Sequence, residues 1–273
     1  MTLRSSLLRV CVIIVSAGLL TGASCNDLGE QGTGLTQDGE ILTSTRSVEA
    51  RNHFTEGNKL LEAGKWEGAI DRYSEAIEND PRFGEAYENR ALAYMRHRKF
   101  EKALADFAEA LELGPESARL YFNLGNFYSM HAMFEPSAKA YRRSLELEPG
   151  QASALNNLGN SLSSLERFGE AEAAFEEATR LFKDKPEAYN NLGVLNERQG
   201  KMAEAERFYQ KAIEIDPKHP DAYFNMGAMN RRAKNAREAL RYFKLYLEKD
   251  PQADDKGKVE NWILRLQGEL GQF

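Results

Sequence analysis

From Ala50 onward the chain repeats itself every 34 residues without an insertion. Leu124-Gly125, Leu158-Gly159, Leu192-Gly193 and Met226-Gly227 stand 34 apart, and Gly57 and Ala91 continue the row towards the N-terminus. Six copies result, beginning at Ala50, Gly84, Ala118, Ala152, Pro186 and Pro220. A fixed period in this range means a stack of small supersecondary units, each burying its apolar side on its neighbours. It excludes a fold wrapped around one central core.

Numbered from those starts, position 20 is small (Ala69, Ala103, Ser137, Ala171, Ala205, Ala239) and position 24 is aromatic (Tyr73, Phe107, Tyr141, Phe175, Tyr209, Phe243). Position 27 is small in the first five copies (Ala76, Ala110, Ser144, Ala178, Ala212) and Tyr246 in the sixth. Position 32 reads Pro81, Pro115, Pro149, Lys183, Pro217 and Pro251. Each copy holds two segments with apolar residues at helical spacing, such as Tyr121, Leu124 and Tyr128 followed by Tyr141 and Leu145 in the third. A mid-helix glycine costs about 1 kcal/mol against alanine. Its recurrence at position 8, in every copy but the second, predicts a neighbouring helix too close for a side chain. The proline at position 32 ends the second helix before the next copy begins.

In length and in its small, aromatic and proline positions this pattern resembles the tetratricopeptide repeat family over residues 50–253. The resemblance implies an all-α fold: a right-handed superhelical α-solenoid of six helical hairpins (50–83, 84–117, 118–151, 152–185, 186–219, 220–253), with first helices lining a concave side. Solenoid ends need caps. Val259, Trp262, Ile263 and Leu266 lie at i, i+3, i+4 and i+7, which predicts a capping helix within residues 254–273. Tyr246, where the other copies have Ala or Ser, predicts a looser junction there. His53 and Glu56, at positions usually apolar, predict an exposed edge at the first copy.

Ahead of the repeats, Arg4 and Arg9 lead into an uncharged apolar run from Val10 to Leu20, too short to span a bilayer. It reads as the core of a signal peptide. Thr21-Gly22-Ala23-Ser24-Cys25 then resembles the lipobox of bacterial lipoproteins. That resemblance implies a signal peptide over residues 1–24, acylation at Cys25, and a chain held in the cell envelope facing the periplasm, from the inner or the outer membrane. Gly22 stands where the motif usually has an aliphatic residue, and the alternatives are cleavage near Ala23 or Ser24 with simple secretion, or an uncleaved anchor. Cys11 would leave with the signal peptide, so the mature chain would hold no disulfide. Residues 25–46, rich in Gly, Thr, Ser, Asp and Gln, read as a flexible tether that could stretch to about 70 Å.

The charge balance and the repertoire of reactive side chains narrow the function. Acids outnumber bases 42 to 36, for a net charge of −6, which speaks against a nucleic-acid partner. His53, His97, His131 and His219 have no second ligand at a metal spacing. No phosphate loop, nucleophile elbow or Cys-His arrangement occurs. The expectation is therefore no catalytic residue, no metal and no small-molecule cofactor, with a protein or peptide as the partner and the membrane reached through the N-terminal lipid.

On the first helices, positions 4, 7, 8 and 11 share one side and positions 2, 6, 9 and 13 the other. Position 6 reads Thr55, Asn89, Asn123, Asn157, Asn191 and Asn225, and position 9 adds Asn58, Asn126 and Asn160. Asparagine is a mediocre helix former, so propensity does not explain the row. Its carboxamide offers a donor and an acceptor, which suits the backbone of an extended peptide. The row resembles the asparagine ladder in the repeat domains of O-linked GlcNAc transferases, which implies peptide binding at Asn58, Asn89, Asn123, Asn126, Asn157, Asn160, Asn191 and Asn225. Bonding within the solenoid is the alternative. Phe54, Phe122 and Phe224 at position 5 are either anchors for a partner or packed between helices. The pattern of carboxylate-clamp repeats is not met, because Phe54 and Asn123 stand where that subclass has cations. The resulting reading is a non-enzymatic, membrane-tethered adaptor that binds peptide segments of envelope proteins. Its architecture is similar to that of pilotin-like lipoproteins of type IV pilus assembly, and an envelope enzyme or an enzyme-recruiting subunit is the contrasting class.

Overall fold

The computed structural model describes residues 48–271, which fold into thirteen α-helices with no strand among them. The signal peptide, Cys25 and the tether lie outside the described residues. The helices divide into two compact units that meet in sequence at Leu147 and Glu148. The first unit holds three helical hairpins: α1 (Val48–Glu62) with α2 (Trp66–Asn79), α3 (Gly84–Arg96) with α4 (Phe100–Leu113), and α5 (Ala118–Met130) with α6 (Phe134–Leu147). The second holds α7 (Ala152–Ser164) with α8 (Phe168–Leu181), α9 (Pro186–Arg198) with α10 (Met202–Ile215), α11 (Pro220–Arg232) with α12 (Ala236–Lys249), and a last helix α13 (Lys256–Glu269).

One contact recurs inside the hairpins. The ring at position 24 lies over the glycine at position 8 of the same repeat. A Cβ placed on Gly125 would meet Tyr141 at 2.6 Å, one on Gly159 would meet Phe175 at 2.5 Å, and Gly57, Gly193 and Gly227 face Tyr73, Tyr209 and Phe243 in the same way. These rings are completely or almost completely buried. The contact thus offsets the helix-propensity cost of the glycine by closing the hairpin on an aromatic face. Small residues complete the seam, and in the third repeat they are serines whose buried hydroxyls donate back to α5, from Ser137 to the Gly125 carbonyl at 3.0 Å and from Ser144 to that of Ala118 at 2.8 Å.

The turn within each hairpin is built alike six times. Position 15 is left-handed throughout: Gly64, Arg98, Ala132, Glu166, Gly200 and Lys234 have φ between 55° and 77°. The next amide reaches back five residues to close each first helix, as from Lys65 to the Leu60 carbonyl at 2.9 Å and from Asn235 to that of Asn230 at 2.9 Å. This is the Schellman termination that normally calls for glycine. Four of the six turns carry a side chain there, so its strain is tolerated because the packing of two helices determines the turn.

Within the hairpins, charge enters at the partnership of positions 7 and 23. In repeats three to six these are Leu or Met facing Ala, Phe or Tyr. In repeat one they are Glu56 and Arg72, paired at 3.2 Å, with Arg72 and His53 also on Glu75. The expected exposed edge is therefore a cross-hairpin ion network. In repeat two the signs reverse: Arg90 grips Asp106 through two bonds of 2.8 and 2.9 Å and reaches Ser74 at 3.0 Å, with side-chain exposures of only 16% and 8% for the ion pair.

At the other end Tyr246 does not loosen the last junction. It is buried, its ring stands 5.2 Å from Phe224, and its hydroxyl donates to Asp255 at 2.7 Å, just ahead of α13. Val259 and Leu266 bury the inner face of α13, and Trp262 packs on Phe243 at 5.2 Å.

The ion pair in repeat two can be separated from mere polarity by a double-mutant cycle. Arg90→Leu alone strands a buried carboxylate and is expected to cost about 3–5 kcal/mol. Adding Asp106→Ala, which reproduces the Leu and Ala of repeats three and four, is expected to return stability to within about 1 kcal/mol of the parent or above it. Urea denaturation of the four proteins measures both.

Candidate protein-interaction face

The side of the first helices opposite the glycine seam carries the asparagines, and each unit arranges them differently. In the first unit, Asn58 Oδ1 accepts from the Tyr73 hydroxyl at 2.7 Å and from Asn89 Nδ2 at 2.8 Å. Burial pushes the Tyr73 pKa up to about 12, so the hydroxyl stays a donor and fixes the carboxamide with its oxygen inward. Asn126 is held alike, by Tyr141 at 2.7 Å. Asn123 donates across repeats to Glu88 at 2.9 Å, and Arg119 spans Glu88 at 2.9 Å and Asn89 Oδ1 at 3.3 Å.

Glu88, at position 5 of the second repeat, is a residue that the asparagine row does not point to. Its side chain is only 4% exposed, and burial holds its carboxyl above the ordinary carboxylate range in spite of Arg119. The signal in the sequence is an acid in register with Phe54 and Phe122, at a position facing the neighbouring helix. Those two phenylalanines, with Phe224, are half-buried and packed. Phe54 meets Phe83 at 4.7 Å, Phe122 meets Tyr141 at 5.8 Å, and Phe224 lies among Phe243, Tyr246 and Trp262.

In the second unit the face is a carboxamide surface. Asn225 donates to Asn190 Oδ1 at 2.9 Å and Asn191 to Asn156 Oδ1 at a long 3.5 Å, both from position 6 to position 5 of the preceding repeat. Asn160 is exposed, and beneath it Phe175 offers no hydroxyl of the kind that holds Asn58 and Asn126. Asn157 lies between them on α7, half-buried. The structure thus gives Asn89, Asn123, Asn191 and Asn225 a bracing bond to the repeat before, and each such bond uses one of the two amide hydrogens. Cations line the outer end of this face: Arg198 donates to Ser163 Oγ at 2.7 Å and Arg232 pairs with Glu197. Among the described residues no three His, Cys, Asp or Glu converge to hold a metal ion, and no helix is long and apolar enough to cross a membrane.

Models of the tetratricopeptide repeat match residues 54–128 and 156–220, 118–184 and 208–241. Among curated protein sequences none matches. Several solved structures share the fold. YrrB, a TPR protein with an unusual peptide-binding site, is 25% identical, with a TM-score of 0.57 over 63% of this chain and 89% of its own. PilW, a widely conserved type IV pilus biogenesis factor, is 20% identical with a TM-score of 0.68, over 78% of this chain and 99% of its own. PilF of Pseudomonas aeruginosa is 17% identical with a TM-score of 0.63, over 79% and 98%.

The contrast between Asn160 and its counterparts makes a gain-of-bond test. Phe175→Tyr should place a hydroxyl under Asn160 as Tyr141 does under Asn126, raising stability by about 0.5–1.5 kcal/mol, and Asn160→Ala in that background should remove the gain. Thermal unfolding of the two variants against the parent reads it.

Proposed function

Since the chain belongs to the tetratricopeptide repeat family, a scaffold for protein interaction whose members are generally non-catalytic, we propose that it is a membrane-tethered adaptor holding an extended segment of another envelope protein across its first helices. The observation that carries this reading is the carboxamide surface of the second unit. Asn191 and Asn225 each commit one amide hydrogen to the neighbouring repeat, and Asn160 stands exposed. The amide hydrogens left over, with the Asn160 oxygen, match the carbonyls and N–H groups that an extended backbone brings whatever its side chains. Bracing and binding are compatible, because a carboxamide oriented by one bond presents its other hydrogen at a fixed angle and less is lost on ordering it.

The peptide-binding site of YrrB, in a protein 25% identical, supports the choice of a peptide as the partner. The likeness to PilW is one of fold, and it brings no pilus role to this chain. Anchoring rests on the Thr21-Gly22-Ala23-Ser24-Cys25 stretch and on the signal-peptide core before it. Two or three acyl chains on Cys25 would hold the protein firmly where one would not.

Two measurements test the two halves of the proposal. Metabolic fatty-acid labelling should mark the parent and not Cys25→Ser, which should also leave the membrane fraction. Equal labelling of both, or of neither, removes the anchor. For the face, a partner captured from envelope extract by the parent protein should bind the Asn157→Ala, Asn160→Ala double variant more weakly by about 1–3 kcal/mol, roughly 5- to 150-fold, with helicity unchanged. Unaltered affinity in a folded double variant would place the binding surface elsewhere.

A further inference from the structure

The C-terminal end of the second unit collects positive charge although the chain as a whole is acidic. Between Arg231 and Arg237 the sequence holds four cations and no acid, and α13 adds Lys258 and Arg265. Arg232 is accounted for by Glu197 of the preceding repeat. Arg231, Lys234, Lys258 and Arg265 have no carboxylate partner among the described residues.

These groups surround a concavity. Arg231, Lys234, Ala236, Trp262, Arg265, Leu266 and Glu269 line a pocket of about 420 Å³ between the start of the last turn and the face of α13. The Arg231 guanidinium lies 4.2 Å from the Trp262 ring centroid and the Lys258 ammonium 4.8 Å from it. A guanidinium stacked on indole is held by its face, which leaves its in-plane N–H donors available for a two-point bond to a carboxylate. Lys234 and Arg265 bring further charge to the same opening.

We propose that this pocket docks a carboxylate-rich segment of a protein partner, with Arg231 as the oriented contact and Lys234 and Arg265 as its electrostatic surround. Charge complementarity selects the occupant, since the lining sets the three cations Arg231, Lys234 and Arg265 against the single carboxylate of Glu269. An anionic bilayer fits less well, because the groups lie in a concavity rather than on a projecting surface. Leu264, the exposed apolar residue of α13, is two residues from Trp262 and so about 160° around the helix from it. None of the asparagines lines the pocket, and the inference stands whether or not the carboxamide face binds peptide.

Trp262 makes the site observable. Trp66 is the other tryptophan, so a Trp66→Phe protein reports on the pocket alone. Titration with an octaglutamate peptide at low salt should give a saturable change in Trp262 emission, absent with octalysine and weakened about tenfold or more by raising the salt to roughly 0.5 M. Lys234→Gln with Arg265→Gln should weaken it by a similar factor, with circular dichroism unchanged. If that variant does not fold, the salt dependence of the parent still decides. The proposal is overturned by no saturable change, by a response that neither salt nor the glutamine variant alters, by a response to phosphatidylglycerol vesicles without one to the peptide, or by a change that follows protein concentration alone and so reports self-association.

Discussion

A ring resting where a side chain is missing organises this protein. Because a Cβ on Gly57, Gly125, Gly159, Gly193 or Gly227 would fall 2.5 to 2.7 Å from the position-24 ring, the two helices of five of the six hairpins meet at a distance only glycine allows. Burial of that ring supplies apolar area, and its flat face sets how the second helix lies on the first. The left-handed turns follow from this. Once the helices are seated, the connection must close in few residues, and the Schellman termination does so even at Ala132, Glu166 and Lys234, as it does at Arg98 in repeat two, where Ala91 replaces the glycine.

Around that fixed contact the repeats vary in compensated pairs. Where position 7 is charged, position 23 carries the opposite charge, as in Glu56 with Arg72 and Arg90 with Asp106. Where the small seam residue is serine, its hydroxyl finds a backbone carbonyl. Where position 27 becomes Tyr246, the ring packs on Phe224 and the hydroxyl ties down the approach to the last helix. Apart from the exposed Glu56 and Arg72, each is a buried polar or bulky group made tolerable by a partner, which is the condition for keeping it in a close-packed stack.

The two units consequently present different chemistry on their first helices. In the first, hydroxyls and the Arg119 to Glu88 pair engage the asparagines, and Phe54 and Phe122 are committed to packing. In the second, asparagine bonds to asparagine from repeat to repeat, and a cationic pocket closes the far end. A protein-interaction scaffold built in this way presents chemically different surfaces on its two units.

The 34-residue period was sufficient to determine the hairpins, their number and the seam between them, because helix spacing, proline stops and the glycine and aromatic positions are local signals that recur at fixed intervals. It also placed the asparagines on one side of the first helices, since 100° per residue fixes the side a residue takes. Which atom each carboxamide bonds was decided only by packing. Asn123 reaches Glu88 and Asn225 reaches Asn190 from the same repeat position, 35 residues along the chain, and the difference lies in what the preceding helix carries at position 5. The left-handed residues without glycine, the partnership of positions 7 and 23, and the meeting of Arg231 with Trp262 likewise depend on distances between helices, which a one-dimensional pattern does not contain.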